Sequence, residues 1–422
     1  MSTNKTSNQT AQPPSLWRNR NYLLLWSGQI ISSVGTQVSD LAYPFLVLAM
    51  THSPTQAGFV GAVGMLPYLI FSLPAGALID RWDRKLVMIL CDTGRAMCLG
   101  SIPIAYALGH LTLLQLYLVS LTEGTLFVFF NIAEVACLPQ VVRKEDFPAV
   151  ASQTEFTQSV SFLLGRSLGG ILYSIGQFVP FLTDAISYIF SVISLRFINV
   201  PFQEKRETPR RSLHIEIWEG LSWLWHQPLL CFIAILGSTV HIIASGMTLI
   251  IIVLAQQEHI SSFIIGIILG VGGVGIMIGA FVGSSLQKRF SFTSLTISTT
   301  WLTTLLFPLY IVMSNVFWLA TIVGVISAVI TVYGVVQFSY RLALIPDELQ
   351  GRVNSVFRLV VFGGDPIGLA LTGILLQTLG VIPTVLILTA SLLVLAIASI
   401  LNPHVRHALP LAQVQAQRGI RK

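Results

Sequence analysis

Apolar stretches of about 20 residues recur along this chain from Tyr22 to Leu401, each long enough to cross a hydrocarbon core roughly 30 Å thick as a helix. Lipid offers backbone amides no hydrogen-bonding partner, so such stretches must close on themselves as helices. Cutting the sequence at charge clusters and at Pro, Gly and Asn turns places spans at 21–49, 56–79, 86–108, 112–136, 152–176 and 179–198, then at 228–254, 261–286, 292–313, 316–340, 354–378 and 382–401. The expected fold class is an all-α integral membrane protein of 12 transmembrane helices.

Composition agrees. Only 10% of the residues are charged, against about 25% in soluble domains, and the mean hydropathy is +0.77. The formal charge of +6 does not point to nucleic acid, which needs Lys and Arg gathered on one folded face; here they sit in short connectors. Cys91, Cys98, Cys137 and Cys231 show neither paired nor metal-ligand spacing, so they read as small buried hydrophobes and no metal site is expected. No cleavable leader is expected, because the first apolar run follows a polar tail and is too long for a leader's hydrophobic core.

Orientation follows from the cations, since short connectors rich in Lys and Arg stay in the cytoplasm. Alternate connectors carry Lys5, Arg18 and Arg20; Arg81, Arg84 and Lys85; Arg143 and Lys144; Lys205, Arg206, Arg210 and Arg211; Lys288 and Arg289; Arg341 and Arg352; and Arg406, Arg418, Arg421 and Lys422. The intervening connectors carry none. Both termini are therefore expected in the cytoplasm, which requires an even number of spans in a multi-pass protein.

The longest polar interruption falls near the middle of the chain. The expected organisation is a cytoplasmic tail at 1–16, a six-helix bundle at 17–198, a cytoplasmic central loop at 199–227, a second six-helix bundle at 228–401 and a cytoplasmic tail at 402–422. Within the central loop, residues 215–225 place apolar side chains at helical spacing beside a few charges, as a helix lying on the membrane surface does. The two halves are related: 152–170 superposes without a gap on 355–373, with Gly165 matching Gly368 and Leu168 matching Leu371. Duplicated, pseudo-symmetric bundles suit transporters that rock around a central site.

Between the second and third spans runs Gly76-Ala77-Leu78-Ile79-Asp80-Arg81-Trp82-Asp83-Arg84-Lys85. This resembles the signature loop of the major facilitator superfamily, Gly-x-Leu-Ala-Asp-Arg-x-Gly-Arg-Lys, with Asp83 where the family usually has Gly. The resemblance implies that Gly76, Asp80, Arg81, Arg84 and Lys85 form a gating element, with Asp80 facing the start of the eleventh helix and Arg84 reaching Glu134 at the end of the fourth. Three further segments, 50–54, 346–355 and 364–368, resemble the branch that contains macrolide efflux proteins and the enterobactin exporter. In the fifth span, Gly165-Arg166-Ser167-Leu168-Gly169-Gly170 keeps the glycines of the Gly-Pro-x-x-Gly-Gly antiporter motif but has Arg in place of Pro, which removes the expected kink.

Ionisable groups inside spans are costly and usually face a partner or an aqueous path. They are Asp40, Asp92, Arg95, Glu123, Arg166, Asp184, His241 and Asp365. The fold implied by the resemblance lines its cavity with the first, fourth, seventh and tenth helices, and Glu123, Asp40, His241 and Asp365 are the candidates for proton exchange. A fixed Glu123–Arg166 ion pair between adjacent helices is the competing reading for Glu123. Asp365 lies among Gly363, Gly364 and Pro366, where a locally broken helix is expected. Gln37, Phe127, Asn131, His241, Tyr333 and Gln337 are the candidate substrate contacts.

Several strings carry no chemistry here. Residues 270–275, Gly-Val-Gly-Gly-Val-Gly, fit a dinucleotide-binding pattern but lie inside an apolar span, where they read as a helix-packing seam. No phosphate-binding loop and no His-Glu-x-x-His occur, so the chain is not expected to be an enzyme. The expected function is export of small amphiphilic molecules, such as a macrolide-like drug or a siderophore, by alternating access and proton antiport. The proton gradient supplies the energy, no cofactor is needed, and the chain works as a monomer. The alternative is a proton-coupled importer of a small nutrient; a non-transporting receptor or a membrane enzyme is more remote.

Overall fold

The computed structural model describes residues 16–199, 213–312, 315–346, 349–408 and 413. Lys205, Arg206, Arg210 and Arg211 and most of both expected tails lie outside the described residues. Among the described residues every regular element is helical. The first half comprises α1 (Arg20–Thr51), α2 (Pro54–Ile79), α3 (Arg84–Ala107), α4 (Leu113–Val141), α5 (Phe147–Ile175) and α6 (Val179–Arg196). A shorter helix, α7 (Leu213–Trp225), covers the segment expected to lie on the membrane surface. The second half comprises α8 (Pro228–Gln257), α9 (Ser262–Arg289), α10 (Phe292–Leu306), α11 (Leu309–Val312), α12 (Val316–Leu344), α13 (Gln350–Phe362), α14 (Gly364–Leu379) and α15 (Val381–Leu401), followed by the single turn α16 (Pro403–Arg406).

Local chemistry sets the helix starts. Ser53, Asp83, Thr112, Ser291 and Asn315 each accept a backbone N–H from the first turn of the helix they precede. Two expected spans are interrupted. The ninth divides into α10 and α11 before Pro308, and the eleventh divides into α13 and α14 at Gly363, as the Gly-Gly-Asp-Pro sequence implies.

Ten segments among the described residues combine the length and hydropathy of a membrane span. The other two expected spans fall on α1 and α5, which have 32 and 29 residues but do not reach that hydropathy. Their polarity has different settings: α1 packs on α6 and α5 and is largely enclosed, whereas α5 packs one side on α1 and α9 and leaves Ser152, Glu155 and Gln158 exposed. By contrast, the exposed side of α3 is formed by Leu86, Leu90, Met97 and Ile104, an apolar stripe that only lipid accommodates.

The halves meet along two seams, α5 against α9 and α2 against α14. Both are made by glycine. A Cβ on Gly170 would lie 2.8 Å from Gly266 Cα, and one on Gly373 would lie 3.1 Å from Gly58 Cα, so both backbones are in close contact. Gly170 and Gly373 are equivalent positions of the internal repeat, which therefore appears in space as a pair of related seams.

Both seams lie toward the end of the bundle opposite the signature loop. There one apolar cluster runs through both halves, joining Leu41, Leu46 and Phe181 to Ile250, Ile251 and Leu376. At the signature-loop end the core divides in two. One cluster, with Leu25, Ile79, Met88 and Cys137, belongs to the first half; the other, with Leu230, Tyr340, Val353 and Phe357, belongs to the second. The apolar core is thus shared by the halves at the far end and, among the described residues, parted between them at the signature-loop end.

Candidate functional site

Four charged side chains converge inside the first half. Arg95 of α3 lies 3.6 Å from Glu123 of α4 and 3.8 Å from Asp92, one turn before it on α3. Tyr43 Oη donates to Glu123 Oε2 at 3.1 Å and Tyr188 Oη to Oε1 at 3.4 Å. Asp184 of α6 accepts from Ser39 Oγ at 2.5 Å and from Ser187 Oγ at 3.0 Å. The Arg95 guanidinium also stacks 4.0 Å above the Tyr188 ring. Asp92 and Asp184 are fully buried, and Arg95 and Glu123 almost so. Three carboxyl groups therefore share one guanidinium in a desolvated core, where the arrangement of charge depends strongly on where protons sit.

Arg166 is elsewhere, which corrects the expected Glu123–Arg166 pair. Its Nε donates to Gln37 Oε1 on α1 at 3.2 Å, its Nη1 to Thr248 Oγ1 on α8 at 3.1 Å, and its guanidinium lies 4.7 Å from the Phe162 ring centroid. The reason is packing: α4 lies on α2 and α3 whereas α5 lies on α1 and α9, so α4 and α5, although consecutive in the chain, share no packing seam. Arg166 instead bridges the two halves near the closed seam. Asp40 is exposed in the structure, one helical turn beyond Gln37.

In the second half, His241 Nδ1 and Asp365 Oδ1 stand 3.1 Å apart, joining α8 to the first turn of α14. Both are partly exposed, and the His241 ring meets the Phe362 edge at 4.7 Å. Phe362 in turn meets Tyr68 of the first half at 6.0 Å. Phe127 is 42% exposed while its ring lies 5.4 Å from the Arg95 guanidinium, so it links the buried cluster to open space. Asn131, one turn further along α4, is half-buried. Tyr333 and Gln337 lie deeper than a substrate contact requires. Both are buried in the second half, and Gln337 Nε2 donates to Thr296 of α10 at 3.1 Å.

The signature loop is a compact turn. Asp80 ends α2 and stands 3.5 Å from Arg84, while Lys85 Nζ donates to the Ile198 carbonyl beyond α6 at 2.6 Å. Gly76 supplies the carbonyl that receives the Asp80 N–H, and Arg81 is exposed. Arg84 reaches the end of α4, where its Nη1 donates to the Ala136 carbonyl at 2.7 Å. The departure at Asp83 is explained locally. Its φ of −65° needs no glycine, and its carboxylate caps α3 by accepting the Leu86 N–H at 3.0 Å.

Ser167 lies in a Gly-x-Ser-x-Gly string, yet it sits in mid-helix with its hydroxyl bonded to the Leu163 carbonyl at 2.9 Å, not on a strand-to-helix elbow.

The two related seams, the parted end and the signature turn form the framework of a rocking transporter, and the family comparison agrees with it. A model of the transmembrane secretion effectors matches residues 12–418. The chain belongs to this family. It is a membrane transporter of the major facilitator type, not an enzyme.

The chain is 24% identical to the multidrug efflux pump Tap of Mycolicibacterium fortuitum, over 91% of this chain and 96% of that protein. It is 22% identical to macrolide efflux protein A of Streptococcus pyogenes, over 86% and 91% of the two chains. It is 26% identical to the enterobactin exporter EntS of Salmonella typhi, over 82% and 83%. Its fold is that of a bacterial homologue of the iron transporter ferroportin in an inward-facing state, with a TM-score of 0.73 at 15% identity over 92% of this chain and 99% of that one.

All four of the cluster's charged members stand out in the sequence as intramembrane ionisable groups, but Tyr43 and Tyr188 do not. The spacing of Asp92 and Arg95, three apart on one helix, was the available signal for part of it.

Proposed function

We propose that this protein exports small amphiphilic molecules from the cytoplasm in exchange for protons. The observation that carries the reading is the pair of glycine seams, closed at the end opposite the signature loop while the signature-loop end is parted. The Lys and Arg distribution assigns the signature-loop end to the cytoplasm, so the structure corresponds to a state that admits substrate from inside. Rocking the halves about the central site would close that end and break the seams. Efflux by the related proteins named above supports the outward direction.

Glu123 is the proton-exchanging group in this reading. Protonation would remove its attraction for Arg95 and free the guanidinium to shift against Tyr188 and Phe127. Phe127, exposed at the same level of α4, is where an apolar ligand would feel that shift. Asp40, in open space, is the second candidate and would pass protons between that space and the cluster.

An efflux-deficient bacterium producing the protein, challenged with macrolides, cationic dyes and a catecholate siderophore, tests the reading. Increased tolerance or export that an uncoupler abolishes is expected. Unchanged tolerance and no siderophore export would contradict it, and accelerated entry of a compound would favour import instead.

A further inference from the structure

The entry of α1 is fixed by three long-range hydrogen bonds. Asn19 Nδ2 donates to the Val141 carbonyl at 2.6 Å, Tyr22 Oη to Gln153 Oε1 at 2.7 Å, and Trp26 Nε1 to Thr157 Oγ1 at 3.0 Å. Beside this fixed face lies a groove of about 400 Å³ lined by Arg18, Arg20, Leu23, Leu24, Trp26 and Ser27. Its floor is apolar and its rim cationic. Arg18 and Arg20 are exposed, and neither has a carboxylate within 4 Å among the described residues. Trp17, 66% exposed, packs edge-on against Trp26 at 5.9 Å, the placement of an aromatic anchor at headgroup depth.

We propose that this groove binds an anionic phospholipid of the cytoplasmic leaflet, with Arg18 and Arg20 on the phosphate and Leu23, Leu24 and Trp26 against the start of an acyl chain. Charge complementarity selects the occupant: two exposed guanidinium groups with no ion pair among the described residues present forked donors to a phosphate. The apolar floor directly beneath them suits a chain attached to that phosphate, and basic pockets on the cytoplasmic side recognise anionic headgroups in this way. The hydrogen bonds to α4 and α5 make the groove pre-formed, so little ordering accompanies binding. The corresponding entry of α8, Trp225-His226-Gln227-Pro228, has no arginine, which makes the site a property of the first half alone.

Thermal unfolding of the purified full chain in detergent, with added phosphatidylglycerol or phosphatidylcholine, tests the proposal. Phosphatidylglycerol should raise Tm more than phosphatidylcholine does, and added salt should diminish the difference. The R18Q/R20Q double variant should lose at least half of that difference, R18K/R20K should keep part of it, and S27W, which fills the groove without altering charge, should also lose it. Equal shifts by the two lipids, or a full phosphatidylglycerol shift in both R18Q/R20Q and S27W, would overturn the proposal. A shift of the same size from glycerol phosphate alone would overturn the lipid assignment, since a free anion would then suffice.

Discussion

Arg95 and Glu123, on adjacent helices of the first half, stand 3.6 Å apart with almost no exposure to solvent. Asp92 and Asp184 share the same core, so the one guanidinium is the positive centre of a set of three carboxyl groups. Removing it leaves buried acids without a cation. The R95Q variant should therefore lose roughly 3–5 kcal/mol of stability, read as a lower Tm in detergent, whereas R95K should recover part of the loss. An unchanged Tm in R95Q would mean that the pair contributes no structural restraint.

Glu123 has a separable role. In E123Q the hydrogen-bonding shape persists while the exchangeable charge is gone, so ΔpH-driven transport should fall to the level of protein-free liposomes. Exchange of labelled for unlabelled substrate without a gradient should continue. Gradient-driven transport surviving unchanged would remove Glu123 as the coupling group and turn attention to Asp40.

The seams permit a covalent test. A Cβ built on Gly270 would lie 3.5 Å from Ser167 Cβ, inside the disulfide range of about 3.5–4.5 Å. Oxidised S167C/G270C should cross-link the halves, stop transport, and regain activity on reduction. Full activity in the cross-linked protein would show that this seam does not open.

Valine at Gly170 or at Gly373 should act on the same motion. Either substitution forces a side chain against the opposing backbone and should cost about 1–3 kcal/mol of the closed far end. Because the two positions are related by the repeat, G170V and G373V should impair transport to a similar degree. A large effect at one and none at the other would contradict the symmetric seam.

His241 and Asp365 form a unit across α8 and α14. H241A and D365A should each lower Tm, and the double variant should lower it by less than the sum, with a coupling of about 1 kcal/mol. Strict additivity would mean that the 3.1 Å contact carries no energy.

The span pattern and the glycine repeat are legible in sequence because each depends on local composition or on a register within one helix. Gly170 and Gly373 can be matched without knowing what they touch, and the break at Gly363 is announced by its Gly-Gly-Asp-Pro context. The grouping of Asp92, Arg95, Glu123 and Asp184 is different: it depends on the rotation of three helices about their own axes, which hydropathy does not encode when all faces are apolar. The same indeterminacy made Arg166 a plausible partner for Glu123, although α5 turns it toward Gln37 and Thr248. Tyr333 and Gln337 looked equally available, and only the packing of α12 on α10 shows them buried. His241 and Asp365 lie 124 residues apart, so no local spacing could join them.

Proton-driven outward transport is tested by inverted membrane vesicles containing this protein, supplied with a labelled macrolide and an acidified lumen. Accumulation of the label in the lumen, abolished by an uncoupler and absent with E123Q, is the expected result. Accumulation that is indifferent to the uncoupler, or movement of the label out of the lumen along with protons, would contradict it.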